Sequence, residues 1–84
     1  MKFNYSTKGV CSRSIDIDIQ DGVINEVKFD GGCDGNLKGI GSLVKGMKPE
    51  DAVERLAGIK CGSKATSCPD QLSKALTEWM ETNR

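Results

Sequence analysis

Cysteine is the side chain best placed to do chemistry in this sequence, because its 84 residues include four cysteines and no histidine. The lack of histidine excludes Ser-His-Asp and Cys-His catalytic pairs and every zinc site that needs an imidazole. The cysteines stand at 11, 33, 61 and 68, with 21, 27 and 6 residues between successive ones. No Cys-x-x-Cys pair occurs, so neither a zinc-ribbon knuckle nor a thioredoxin-type motif is present, and any shared site must be gathered by the fold. Four thiolates around one ion satisfy structural zinc or an iron or iron-sulfur site. Cys11, Cys33, Cys61 and Cys68 are therefore the expected metal ligands, with zinc, iron or an iron-sulfur cluster as the cofactor. Two other readings use the same residues. In one, a cysteine of lowered pKa such as Cys33 or Cys68 passes electrons by disulfide exchange. In the other, the cysteines only pack inside an interaction domain.

The elements that must position these thiols follow from periodicity. Phe3, Tyr5 and Thr7 alternate with polar residues and predict a first strand. Ser14 to Gln20 alternates Ile15, Ile17 and Ile19 with Asp16 and Asp18, which predicts a second strand with one dry face and one acidic, water-facing side. Asp21-Gly22 supplies the positive-φ pair of a tight hairpin turn, and Val23 to Phe29 returns antiparallel with Val23, Val27 and Phe29 on one face. Asp30 to Asn36 is a glycine-rich loop around Cys33, in which Asp34 is a dipole partner, a carboxylate ligand or a base. Leu37, Ile40, Leu43, Val44 and Met47 recur at helical spacing, and the interior Gly39 and Gly41 imply either close backbone packing or local mobility. Pro49-Glu50-Asp51 opens a second helix over 49–57, which Gly58 ends. Ser67 caps a third helix, with Asp70 reaching back in a variant capping box. Cys68, Leu72, Ala75, Leu76 and Trp79 form its apolar stripe. The fold class expected is α+β: a three-stranded antiparallel meander followed by about three helices packed on one face.

All four cysteines fall in loops or at element ends, where Cys33 and Cys68 meet helix N-termini that stabilise thiolates. Lys60 and Lys64 flank Cys61 and add positive field. Twelve basic residues balance twelve acidic ones without a basic stripe, which argues against nucleic acid as a partner. No apolar run is long enough for a membrane span. Met1-Lys2-Phe3-Asn4 lacks the apolar stretch of a secretory signal, which points to the reducing cytoplasm. A chain this short has a thin core, for which a metal staple matters.

Three segments carry a resemblance. Cys33-Asp34-Gly35-Asn36, then Leu56-Ala57-Gly58-Ile59-Lys60-Cys61, then Thr66-Ser67-Cys68-Pro69-Asp70 resemble the TSCPD domain, over nearly the whole chain. That family includes a C-terminal part of adenosylcobalamin-dependent ribonucleotide reductases and small stand-alone proteins of about this length. The resemblance implies an association with ribonucleoside-diphosphate reductase, or another redox enzyme, as partner. It does not imply the reductase activity itself, since 84 residues cannot hold a radical-housing barrel. More distantly, the chain is similar to NifU-type iron-sulfur scaffold proteins, whose three cysteines match Cys11, Cys33 and Cys68. Arg13 stands where that family carries aspartate, and Ser67 where it carries histidine. Cys61 has no counterpart there, and is the residue that would supply a fourth ligand.

Overall fold

Alternating isoleucine and aspartate needs a surface dry on one side and wet on the other, and the chain builds that surface first. A computed structural model describes residues 1–32 and 34–83. Among these, the strands β1 (Lys2–Ser6), β2 (Ser12–Gln20) and β3 (Val23–Gly31) precede the helices α1 (Asp34–Val44), α2 (Pro49–Leu56) and α3 (Cys68–Asn83). The sheet runs β1-β2-β3 with both pairs antiparallel, so the expected α+β meander followed by helices is what forms. At the β2–β3 turn Asp21 and Gly22 take φ of 54° and 79°, the left-handed pair that a type I′ turn requires.

The inner face of the sheet departs from simple alternation in β3. Asp18 pairs with Glu26 but Ile19 pairs with Ile24, so Asn25 is an extra residue in β3. This bulge shifts the side-chain parity, and Ile24 rather than Val23 enters the core. Asn25 then faces the outer side, where its amide donates to Asp18 Oδ2 at 2.8 Å. Gln20 donates to the same oxygen at 2.9 Å. Asp18 is consequently buried at 5% exposure instead of open to water, while Asp16 on the same face stays exposed. The bond from Asn25 first, and that from Gln20, hold the Asp18 carboxyl below its ordinary pKa against the opposing effect of desolvation.

Helices cover the dry face. Ile15, Ile17, Ile19, Ile24 and Val27 from the sheet meet Val44, Ala52, Leu72, Ala75 and Leu76 in one cluster. Leu72 and Leu76 lie one turn apart on α3 and are fully buried, each contributing about 1.5–3 kcal/mol through removal from water. Trp79 packs at the edge of this cluster. The first helix ends at Val44 rather than reaching Met47, because Gly46 turns with φ of 88° and the chain bonds to β3 instead. Gly46 N–H donates to Ile24 O, and Ile24 N–H donates to Met47 O. Of the two helix glycines, Gly41 is buried, and a Cβ built on it would lie 2.7 Å from Val27 O, whereas Gly39 faces open space. Close backbone packing accounts for Gly41, and nothing of the kind for Gly39. The second helix stops at Leu56, with Gly58 left-handed at φ of 84°. Among the described residues no helix is long and apolar enough to cross a membrane.

Candidate thiol site

The third helix begins in a network that the pentapeptide Thr66-Ser67-Cys68-Pro69-Asp70 makes for itself. Ser67 Oγ accepts from Asp70 N–H at 3.1 Å, the expected N-cap bond, and donates to Ile59 O at 2.6 Å. Asp70 does not close a capping box with Ser67. Its carboxylate accepts instead from Thr66 Oγ1 and, at 2.7 Å, from Gly58 N–H, which ties the end of α2 to the start of α3. Those bonds, Thr66 first and Gly58 next, hold Asp70 below the ordinary carboxylate range although it is 93% buried by surface area, at 7% exposure. Lys74 adds a weaker attraction at 3.7 Å. In this pentapeptide, Thr66, Ser67 and Asp70 are thus structural anchors, and Cys68 is the member left for chemistry.

A second set of bonds brings the β1–β2 connection to the same place. Gln71 donates through Nε2 to Thr66 Oγ1 at 3.0 Å and accepts through Oε1 from Lys8 N–H at 3.1 Å. Thr7 Oγ1 donates to Ser12 O at 2.6 Å. These contacts hold residues 7–12 beside the first turn of α3. Cys11 therefore sits with its sulfur 4.0 Å from that of Cys68, although the two are 57 positions apart in sequence. Ser12 Oγ lies 3.3 Å from Cys68 Sγ. Cys68 and Ser12 are buried, while Cys11 is exposed.

Of the four expected ligands, the structure brings Cys11 and Cys68 together. Cys33 lies outside the described residues, as does the side chain of Asp34. Its neighbour Gly32 is described: a Cβ built there would lie 3.3 Å from Cys11 Sγ, 3.3 Å from Ser12 N and 2.8 Å from Leu37 Cδ1. Cys61 is exposed in the α2–α3 connection, where its N–H donates to Thr66 O at 3.2 Å and its carbonyl accepts from Lys64 N–H at 3.0 Å. Lys60 and Lys64 are exposed there too. Among the described residues no group of three or more Cys, Asp or Glu side chains is gathered closely enough to hold a metal ion.

Arg13 is turned away from the sulfurs. Its guanidinium forks onto Asp30, with Nε to Oδ2 at 3.3 Å and Nη2 to Oδ1 at 3.0 Å, on the exposed side of the β2–β3 pair. The Arg13 bond and charge lower the Asp30 pKa, and Asp30 raises that of Arg13. Arg13 is itself an extra residue in β2, since Ser12 pairs with Gly31 and Ser14 with Asp30. That bulge kinks the strand directly after Cys11.

Sequence reasoning missed Ser12 and Gln71. Gln71 follows Cys68 by three positions and shares its helix face, so spacing was an available signal. Ser12 had none beyond adjacency to Cys11. The family model of the TSCPD domain matches residues 3–80 of the chain. Comparison with curated proteins and with solved structures gives no significant match.

Proposed function

Because the chain belongs to the TSCPD domain family, we propose that it is a small accessory module that binds zinc, iron or an iron-sulfur cluster through thiolates and serves a ribonucleotide reductase or another redox enzyme. The observation that carries this reading is the Cys11–Cys68 separation. Sulfurs bound to one tetrahedral zinc at about 2.3 Å lie about 3.8 Å from each other. The two sulfurs here are 4.0 Å apart with no disulfide between them, close to the edge of such a tetrahedron. Cys68 is held from behind by Ser12, which suits an outer partner that orients a ligand sulfur.

Cys33 and Cys61 complete the proposed donor set. Support for Cys33 comes from Gly32, one residue earlier in the chain, where a built Cβ would lie 3.3 Å from Cys11 Sγ. Support for Cys61 comes from its backbone bond to Thr66, two residues before Cys68. A soft ion taken by these residues would staple the β1–β2 connection, the β3–α1 loop, the α2–α3 connection and the start of α3. Thiolate ligands persist in a reducing compartment, and the cytoplasm is the proposed location. The family's link to adenosylcobalamin-dependent ribonucleotide reductases supports the choice of partner. The proposed role of this domain is accessory rather than catalytic.

Anaerobic purification with metal analysis and a visible spectrum tests the reading. The expected result is either colourless protein with about one equivalent of zinc per chain, or brown protein whose iron, about two or four per cluster, reports an iron-sulfur centre. Cys11→Ser combined with Cys68→Ser should abolish it. Protein that takes up no metal after anaerobic reconstitution, or a double variant that binds as well as the parent, would overturn the proposal.

A further inference from the structure

We propose that Cys11 and Cys68 also form an exchange-active dithiol, in which Cys11 attacks an external disulfide and Cys68 resolves the product. This goes beyond metal binding and does not depend on it. The two sulfurs are unequal in access: Cys11 is exposed on the short β1–β2 connection, whereas Cys68 is 7% exposed under it. An incoming disulfide therefore meets Cys11 first. A change of cysteine rotamer moves the sulfur by about 3 Å, which exceeds the roughly 2 Å by which a gap of 4.0 Å must shrink to reach bonding distance.

The Cys11 thiolate attacks one sulfur of a disulfide R–S–S–R, forming Cys11–S–S–R and expelling R–S⁻. The Cys68 thiolate then attacks Cys11 Sγ, forming the Cys11–Cys68 bond and expelling the second R–S⁻. The protein gives up two electrons and two protons, and the external disulfide leaves as two thiols. In reverse, the closed pair oxidises an external dithiol. Ser12 Oγ, 3.3 Å from Cys68 Sγ and buried with it, acts as a positioning residue for the second step, since it is the hydrogen-bonding neighbour of the resolving sulfur.

The experiment uses the intact, metal-free, reduced protein with oxidised glutathione under anaerobic conditions, quenched in acid and read by mass spectrometry with peptide mapping. The expected product is two hydrogens lighter and carries a Cys11–Cys68 disulfide. Cys68→Ser should leave an unresolved glutathione adduct on Cys11, whatever the exposed Cys61 carries. Ser12→Ala should leave adduct formation unchanged and slow its resolution several-fold, a split that general loosening of the fold would not produce. A bond mapped from Cys11 to Cys33 or Cys61 instead, or a glutathione adduct that accumulates on Cys11 of the unaltered protein, would overturn the proposal. The mapping on unaltered protein decides the matter even where a variant fails to fold.

Discussion

Gly39 and Gly41 sit two positions apart in α1, and alanine at the two should have opposite effects. In an exposed helix interior, Gly→Ala stabilises by about 1 kcal/mol because alanine loses less backbone freedom on folding. Gly39 meets that description, since a Cβ there finds nothing among the described residues within 4 Å. The same gain is available at Gly41, but the new methyl would stand 2.7 Å from Val27 O, well inside ordinary contact at 3.4 Å or more. The obstacle is the backbone of β3, not the tip of a flexible side chain, so α1 must lift off the strand. Overpacking of that kind costs about 3 kcal/mol at the upper end of its usual range. Less the propensity gain of about 1, the net loss at Gly41 is about 2 kcal/mol. For a domain of this size, 1 kcal/mol moves Tm by about 4–8 °C. Gly39→Ala should therefore raise Tm by about 4–8 °C, and Gly41→Ala should lower it by about twice that. Thermal melts followed by circular dichroism, with urea midpoints as a check, measure both. If the two variants shift Tm upward together, the close approach of α1 to β3 is wrong.

Other outcomes follow from the same structure. Asp70→Ala leaves Gly58 N–H and Thr66 Oγ1 without their acceptor and should cost about 2–3 kcal/mol at neutral pH. Because the folded Asp70 pKa lies below its unfolded value, this contribution is complete above about pH 4 and fades as pH falls through the folded pKa; urea midpoints of parent and variant should converge in acid. Gly32→Ala forces a left-handed backbone at φ of 82° and drives a methyl toward Leu37 Cδ1, so a loss of about 2 kcal/mol is expected by urea denaturation. Ser67→Ala should cost about 1 kcal/mol as a lost cap while leaving metal stoichiometry intact, since its oxygen serves Asp70 and Ile59 rather than a sulfur. Zinc-loaded protein treated with oxidised glutathione should release the ion to a chromogenic chelator as Cys11 and Cys68 join; zinc retained with that disulfide present would refute shared use of the two sulfurs.

Much of this architecture is legible in the amino-acid order. The Ile15-Ile17-Ile19 alternation, the Asp21-Gly22 turn and the Leu72-Ala75-Leu76 stripe are local signals, because strand and helix periods register which residues are dry within a few positions of one another. The N-cap at Ser67 and the stop at Gly58 are local for the same reason. Bulges are not. An extra residue at Asn25 depends on how β3 pairs with β2, so the exchange of Val23 for Ile24 in the core and the burial of Asp18 had no one-strand signature. Likewise the roles of the two helix glycines were indistinguishable until a neighbouring backbone came within 2.7 Å of one of them.

For the site, the sequence by itself determined the available chemistry: thiolates without imidazole, placed at the ends of elements. Which thiols meet was decided by tertiary structure. Cys11 reaches Cys68 because Gln71, across 63 positions, holds the backbone of Lys8 against the start of α3, and because Thr66 and Asp70 fix that start in place. Proximity between segments so far apart in the chain is a product of the packed core and its hydrogen bonds, and no local pattern of residues records it.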